Sequence, residues 1–391
     1  MDILGQAPTQ LILFFILYGI TGVVSLIAAI YLLLRKGNAF ASDVTPPMRL
    51  RRWAASFFAV GALGHVWWFL FYIYSGDIRS IAYIMVVMLD CVSLLVTIAG
   101  TLLAMLQDRR RSVRPALVAL IPFVVLCGVY MIYPNEWIEL ISGAYILLLY
   151  LIFTAYMVVA VRRYGQWLND NYADLENKKV WLSQVVTLGF MALFIIYLTV
   201  ADMVLIFSLH FTELVLFALL LWRVETLPQL DSIATEETCS ASTPETMQEA
   251  DSLLTTEMAQ ETGSPVANEI SLKAQAVQAN IGQLLEKHCV ETQLYLQHDL
   301  TLAQLSAAIG INRTYISQYF SSLGMNYNTY INGLRIQHFI NLYRDTVANL
   351  RPFTAQQLAQ ESGYHSYSTF SSAFKQRMGQ SVTAWMNETN K

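Results

Sequence analysis

Charge is scarce in this 391-residue chain: 13% of residues are Asp, Glu, Lys or Arg, against 55% that are hydrophobic. That balance excludes an ordinary soluble protein and makes membrane insertion the first expectation. Cysteine is scarce too. Cys91, Cys127, Cys239 and Cys289 are scattered and form no CxxC pair, so neither a zinc site nor a disulfide framework is indicated. HExxH, GxSxG and P-loop motifs are absent, which leaves no catalytic signature, no metal site and no cofactor to assign. Before residue 224 the lysines are Lys36, Lys178 and Lys179, all flanking apolar runs, so the Schiff-base lysine of a retinal protein is missing. The start of the chain lacks a basic stretch, and its apolar run Leu11–Leu34 is too long for a cleaved signal. It is expected to stay as a span.

What is present divides sharply. Residues 1–223 hold nearly all the long apolar runs, whereas 224–391 has a soluble composition. A hydrocarbon core of about 30 Å needs roughly 20 apolar helical residues. On that ruler seven spans are expected, near 11–34, 53–74, 81–106, 115–133, 138–161, 180–200 and 203–223, with the last turn at Thr199–Asp202. Basic residues accumulate in alternate loops: Arg35, Lys36, Arg49, Arg51 and Arg52; then Arg109, Arg110, Arg111 and Arg114; then Arg162, Arg163, Lys178 and Lys179. The opposite loops hold only Arg79. Basic loops stay cytoplasmic, so the N-terminus is expected outside an inner membrane and everything beyond Arg223 inside the cell.

Ionisable groups within spans are costly and mark function by default. His65, Asp90 and Glu213 are expected at one depth, roughly 15 Å below the outer surface from the helical rise, with His210 one turn from Glu213 on the same face. Two readings stand: a pocket for a small-molecule or proton signal, or interhelical hydrogen bonds that orient the bundle.

From Val224 to Leu272 there is no Lys or Arg, while ten acidic residues and Pro228, Pro244 and Pro265 are present. One-signed charge and low hydrophobicity predict a disordered acidic linker over 224–271, either a plain spacer or a protease-sensitive release site.

Beyond it lies an internal repeat. LTLAQLSAAIG (300–310) and FTAQQLAQESG (353–363) align at an offset of 53 residues, pairing Thr301 with Thr354, Gln304 with Gln357, Leu305 with Leu358 and Gly310 with Gly363. Each copy is a T-x-x-Q capping box opening a short helix that ends at a turn glycine. A second helix follows each, near 312–322 and 366–377, which makes two helix-turn-helix units, about 300–322 and 353–377. Between them Tyr327–Val347 carries apolar residues at helical spacing, a long helix buried along one face. Such a spacer would present two recognition helices to successive major grooves of duplex DNA.

Over roughly 280–388 the chain resembles the AraC/XylS family of bacterial transcription regulators. The resemblance rests on Leu302 and Leu305, Gly310, Gly324–Tyr327, the Leu334–Arg335–Ile336 run, and GYHSYSTFSSAFKQRMG at 363–379. Departures are Val382 where the family usually has Pro, Ser372 where Arg is common, and one residue fewer between Phe320 and Gly324. Leu305, Ile316, Phe320, Leu358, Phe370 and Phe374 are expected in the core. The DNA-facing candidates are Arg313, Thr314, Ser317 and Gln318 on the first recognition helix, and His365, Tyr367, Thr369 and Ser372 on the second, with Lys375 and Arg377 on phosphates.

The fold expected is therefore all-α: a seven-helix transmembrane bundle (1–223), the linker, and a double helix-turn-helix domain (272–391). The functional reading is a membrane-embedded, non-enzymatic regulator whose bundle senses a signal, whose partners are double-stranded DNA and the lipid bilayer, and whose tails pair as a homodimer. The alternative is a transporter or sensor enzyme with an accessory DNA-binding tail.

Overall fold

A computed structural model describes residues 8–35, 37–41, 44–74, 80–176, 178–199, 203–230 and 280–389. Its elements are helical, and the one β-bridge among the described residues, Tyr172 to Thr301, is isolated. Two units separate, one of Met1–Tyr164 with Asn177–Leu230, the other of Gly165–Glu176 with Asp231–Lys391.

The first unit is built on α1 (Pro8–Leu34), α2 (Met48–Tyr74), α3 (Ile81–Met105), α4 (Arg114–Ile132), α5 (Glu136–Asn171, as far as Tyr164), α6 (Trp181–Thr199) and α7 (Met203–Thr226). Of these, α1 to α5 are long and apolar enough to cross a membrane. Residues 200–202 of the expected α6–α7 turn lie outside the described residues. Large apolar side chains stand exposed along these helices, among them Ile27 at 60%, Leu33 at 62% and Val118 at 64%. In water that much bare hydrocarbon would aggregate; against acyl chains it is the required surface.

At one end of the unit the polar groups close on each other. Arg51 lies 3.3 Å from Glu225 in a buried ion pair and donates to Arg35 O at 2.7 Å. Tyr31 and Asn38 also donate to Glu225, while Gln107 hydrogen-bonds the backbone of Pro228 and Leu230. Arg49 donates to Arg111 O, and Arg223 to Lys179 O. Arg35, Arg49, Arg51, Arg111 and Lys179, drawn from all three positive loops, thus take part in these contacts. These contacts also move one boundary. The linker was expected from Val224, yet Val224, Glu225 and Leu227 are fully buried and the packed chain continues to Leu230, because Glu225 is an ion-pair partner of Arg51. The rest of the expected linker, to residue 271, is outside the described residues.

In the second unit a helical stretch over 280–285 passes into a π turn, Glu286–Val290. It is followed by α8 (Leu302–Ile309), α9 (Arg313–Ser322), α10 (Tyr327–Ala348), α11 (Ala355–Glu361), α12 (Tyr367–Met378) and α13 (Val382–Thr389). Both predicted capping boxes are complete: Thr301 and Thr354 each accept from the backbone N–H three residues on, and Gln304 and Gln357 return the bond. Two apolar cores form, and α10 serves both. Tyr327 and Ile331 join Leu305, Ile316 and Phe320, while Ile336, Phe339, Ile340 and Tyr343 join Leu358, Phe370 and Phe374. The six residues expected in the core are all buried. Val347, expected on the buried face of α10, is instead 38% exposed in the last turn, beyond both cores.

Candidate nucleic-acid interface and membrane cavity

The helix-turn-helix geometry begins at the two turn glycines. Gly310 has φ +70° and Gly363 φ +89°, a left-handed conformation that L side chains resist. Asn312 caps α9 by accepting from Thr314 N, and Ser366 caps α12 by accepting from Thr369 N. Aimed outward from α9 are Thr314 and Gln318, both exposed, with Arg313 and Ser317 half-buried. On the second copy His365, Ser372, Lys375 and Arg377 are exposed, whereas Tyr367 is half-buried and packs its ring 5.8 Å from Phe370. Arg377 lies across Gly333 of α10, where an added Cβ would come within 3.0 Å of its Nη1.

Inside this unit one cation is fully buried. The Arg335 guanidinium meets both carboxylate oxygens of Asp174, at 3.0 and 3.1 Å, and donates to Tyr295 O at 2.7 Å and Gln297 O at 2.8 Å. Asp174 also accepts from Asp299 N at 3.0 Å. The same segment makes backbone bonds: Ala173 N donates to Leu300 O, and Asn328 donates to Tyr172 O and Ala173 O. Two residues on, Glu176 accepts from Ser366 Oγ at 2.5 Å and from Thr369 Oγ1 at 2.8 Å. A carboxylate therefore rests on the N-terminus of the second recognition helix, the kind of place where a helix binds phosphate. Asp170 lines a small hollow with Ser317 and Asn326. Burial pushes the Cys289 thiol up to about 11 and raises the Tyr364 phenol, the latter opposed by Arg335; burial lowers His338, opposed by Glu361.

Sequence reasoning named Thr369 but not Ser366, Asp174 or Glu176. One signal was there: a loop with Arg162, Arg163, Lys178 and Lys179 also holds Asp170, Asp174 and Glu176.

In the first unit, His65, Asp90, His210 and Glu213 line one cavity of about 160 Å³. His65 Nδ1 donates to Gly61 O at 2.8 Å, and its Nε2 is 2.7 Å from Thr21 Oγ1. Trp68 donates to Asp90 Oδ2 at 3.2 Å. Phe14, Phe57, Phe217 and Ile98 complete an apolar wall.

Two short helices joined at a left-handed glycine, twice over and sharing a long central helix, define a DNA-binding domain, and residues 305–388 match the family described as helix-turn-helix domain. The C-terminal domain is of the AraC type, as its motifs indicated. No curated protein and no solved structure matches the chain.

Proposed function

We propose that the chain is a one-component transcription regulator of the inner membrane, its N-terminus outside and its AraC-type domain in the cytoplasm. A signal reaching the cavity of His65, Asp90, His210 and Glu213 changes bundle packing, and the change is relayed to sequence-specific DNA binding. Arg313, Thr314, Ser317 and Gln318 contact DNA from α9, and His365, Tyr367, Thr369 and Ser372 from α12, with Lys375 and Arg377 on phosphates. The reading assigns the chain no catalytic step. Paired chains raise affinity through effective concentration, since the excess of nine basic over six acidic residues from Lys273 onward neutralises few phosphates.

The observation that carries the relay is Glu176 on Ser366 and Thr369. Gly165–Glu176 follows Tyr164 in the chain, and the proposed relay runs through this covalent connection. While Glu176 holds the α12 N-terminus, a DNA phosphate is kept off the same hydroxyls by position and by like charge. Release of the segment opens the helix.

The experiment is genome-wide mapping of DNA bound by the intact protein, with Glu176→Ala alongside. Discrete operator sites are expected, and E176A should bind them about threefold to tenfold more tightly, in line with loss of one exposed charge-assisted contact. Absence of any enriched site sinks the regulator reading; unchanged operator affinity in E176A sinks the relay alone.

A further inference from the structure

We propose that His65, His210 and Glu213 bind a divalent transition-metal ion of the zinc class, and that this ion is the ligand of the membrane cavity; the proposal deepens the sensing role given above to that cavity. Donor atoms of the three residues all lie within 4.8 Å of one another. Tetrahedral bonds of about 2.0–2.1 Å hold ligand atoms roughly 3.4 Å apart, so closing on an ion needs side-chain movements of about an ångström.

His65 is already set up as a ligand. Its Nδ1 is engaged by Gly61 O, which places the proton there and turns a lone pair outward on Nε2. That nitrogen now faces Thr21 Oγ1, but the hydroxyl is also 2.9 Å from Tyr18 O and 3.1 Å from Leu17 O. Thr21 can turn its proton to either carbonyl, so a metal takes Nε2 without orphaning a donor.

Room for these side chains is built into the neighbouring backbones. A Cβ on Gly22 would come within 3.2 Å of the His65 ring, and one on Gly64 within 2.9 Å of Asp90 Oδ1. Glycine at both positions lets a histidine and a carboxylate sit close against α1 and α2.

Charge points the same way. Two carboxylates, Asp90 and Glu213, line the cavity, and no Lys or Arg is among its lining residues. An anionic ligand would meet no fixed cation in this apolar wall, whereas a divalent cation would find a carboxyl group able to ionise and ligate it. Two imidazoles and one carboxylate favour zinc, cobalt or nickel over magnesium or calcium, which prefer oxygen donors. Three protein ligands leave a fourth position open, as exchangeable and sensing sites require.

The test uses the full chain in lipid nanodiscs, stripped with chelator and titrated with Co²⁺, whose ligand-field absorption in the visible reports tetrahedral coordination. One Co²⁺ per chain is expected, displaced by Zn²⁺ and not by Mg²⁺. His65→Ala and His210→Ala should weaken binding by roughly tenfold or more, and Glu213→Gln should do the same with less change in volume. Melting of the stripped variants followed by circular dichroism checks folding, and E213Q carries the test if a histidine variant unfolds. Absence of the absorption, or its persistence unchanged in E213Q or in a folded histidine variant, overturns the proposal. Its failure is separable from failure of the regulator reading: operator occupancy without metal binding sinks only the ion, and metal binding without operators sinks only the regulator.

Discussion

The two helix-turn-helix units share a capping box, a turn glycine and a strand of apolar positions, yet they differ in what surrounds the turn. Around Gly310 an added Cβ would find nothing within 4 Å, whereas at Gly363 it would come within 2.8 Å of both Cα and O of Leu296 and 3.1 Å of Arg335 Nε. The first turn is a local device; the second is a packing joint. Their recognition helices differ likewise: Asn312 caps α9 from within, while the cap of α12 is shared with Glu176. Repeated sequence sets the helices, and unique neighbours decide what each copy can be used for.

The strongest way to break this asymmetry is Asp174→Ala. It strips the buried Arg335 of its counter-charge, and uncompensated buried charge costs about 3–5 kcal/mol. Limited proteolysis of the intact protein should show cleavage near Gly363 well before cleavage near Gly310. Next in size is the glycine pair itself. Gly310→Ala bears only the left-handed backbone, about 1–2 kcal/mol, while Gly363→Ala adds overlap with fixed backbone at Leu296. Thermal unfolding should rank G363A clearly below G310A; equal melting temperatures would refute the packing-joint description. Smallest are Thr301→Ala and Thr354→Ala, each removing one cap at about 1 kcal/mol. Because both boxes are complete, the two losses should match within error, and a large inequality would show that the copies differ even in their local devices.

Much of the second unit was legible from spacing, since caps, left-handed glycines and the apolar periodicity of α10 are short-range effects written within a few residues. Asp174 was not legible as the partner of Arg335, because 161 positions separate them and an acidic residue in a polar loop is unremarkable by composition. Glu225 misled for a related reason: a charge count placed it in the linker, and only its pairing with Arg51 shows it to be packed. For the cavity, helical rise alone set His65, Asp90 and Glu213 at one depth, and the structure places them with His210 around one space. The tautomer-fixing bond from His65 to Gly61 O and the glycine at 22 that admits the ring could not be read in advance, since each depends on how two helices approach.

Arg335 has one further consequence. A recombination event that transplanted residues 272–391 onto another protein would carry the guanidinium along and leave its carboxylate behind at position 174. The DNA-binding unit is therefore completed by the Gly165–Glu176 segment, far upstream of its helix-turn-helix repeats, and residues 272–391 alone would bury an unpaired guanidinium.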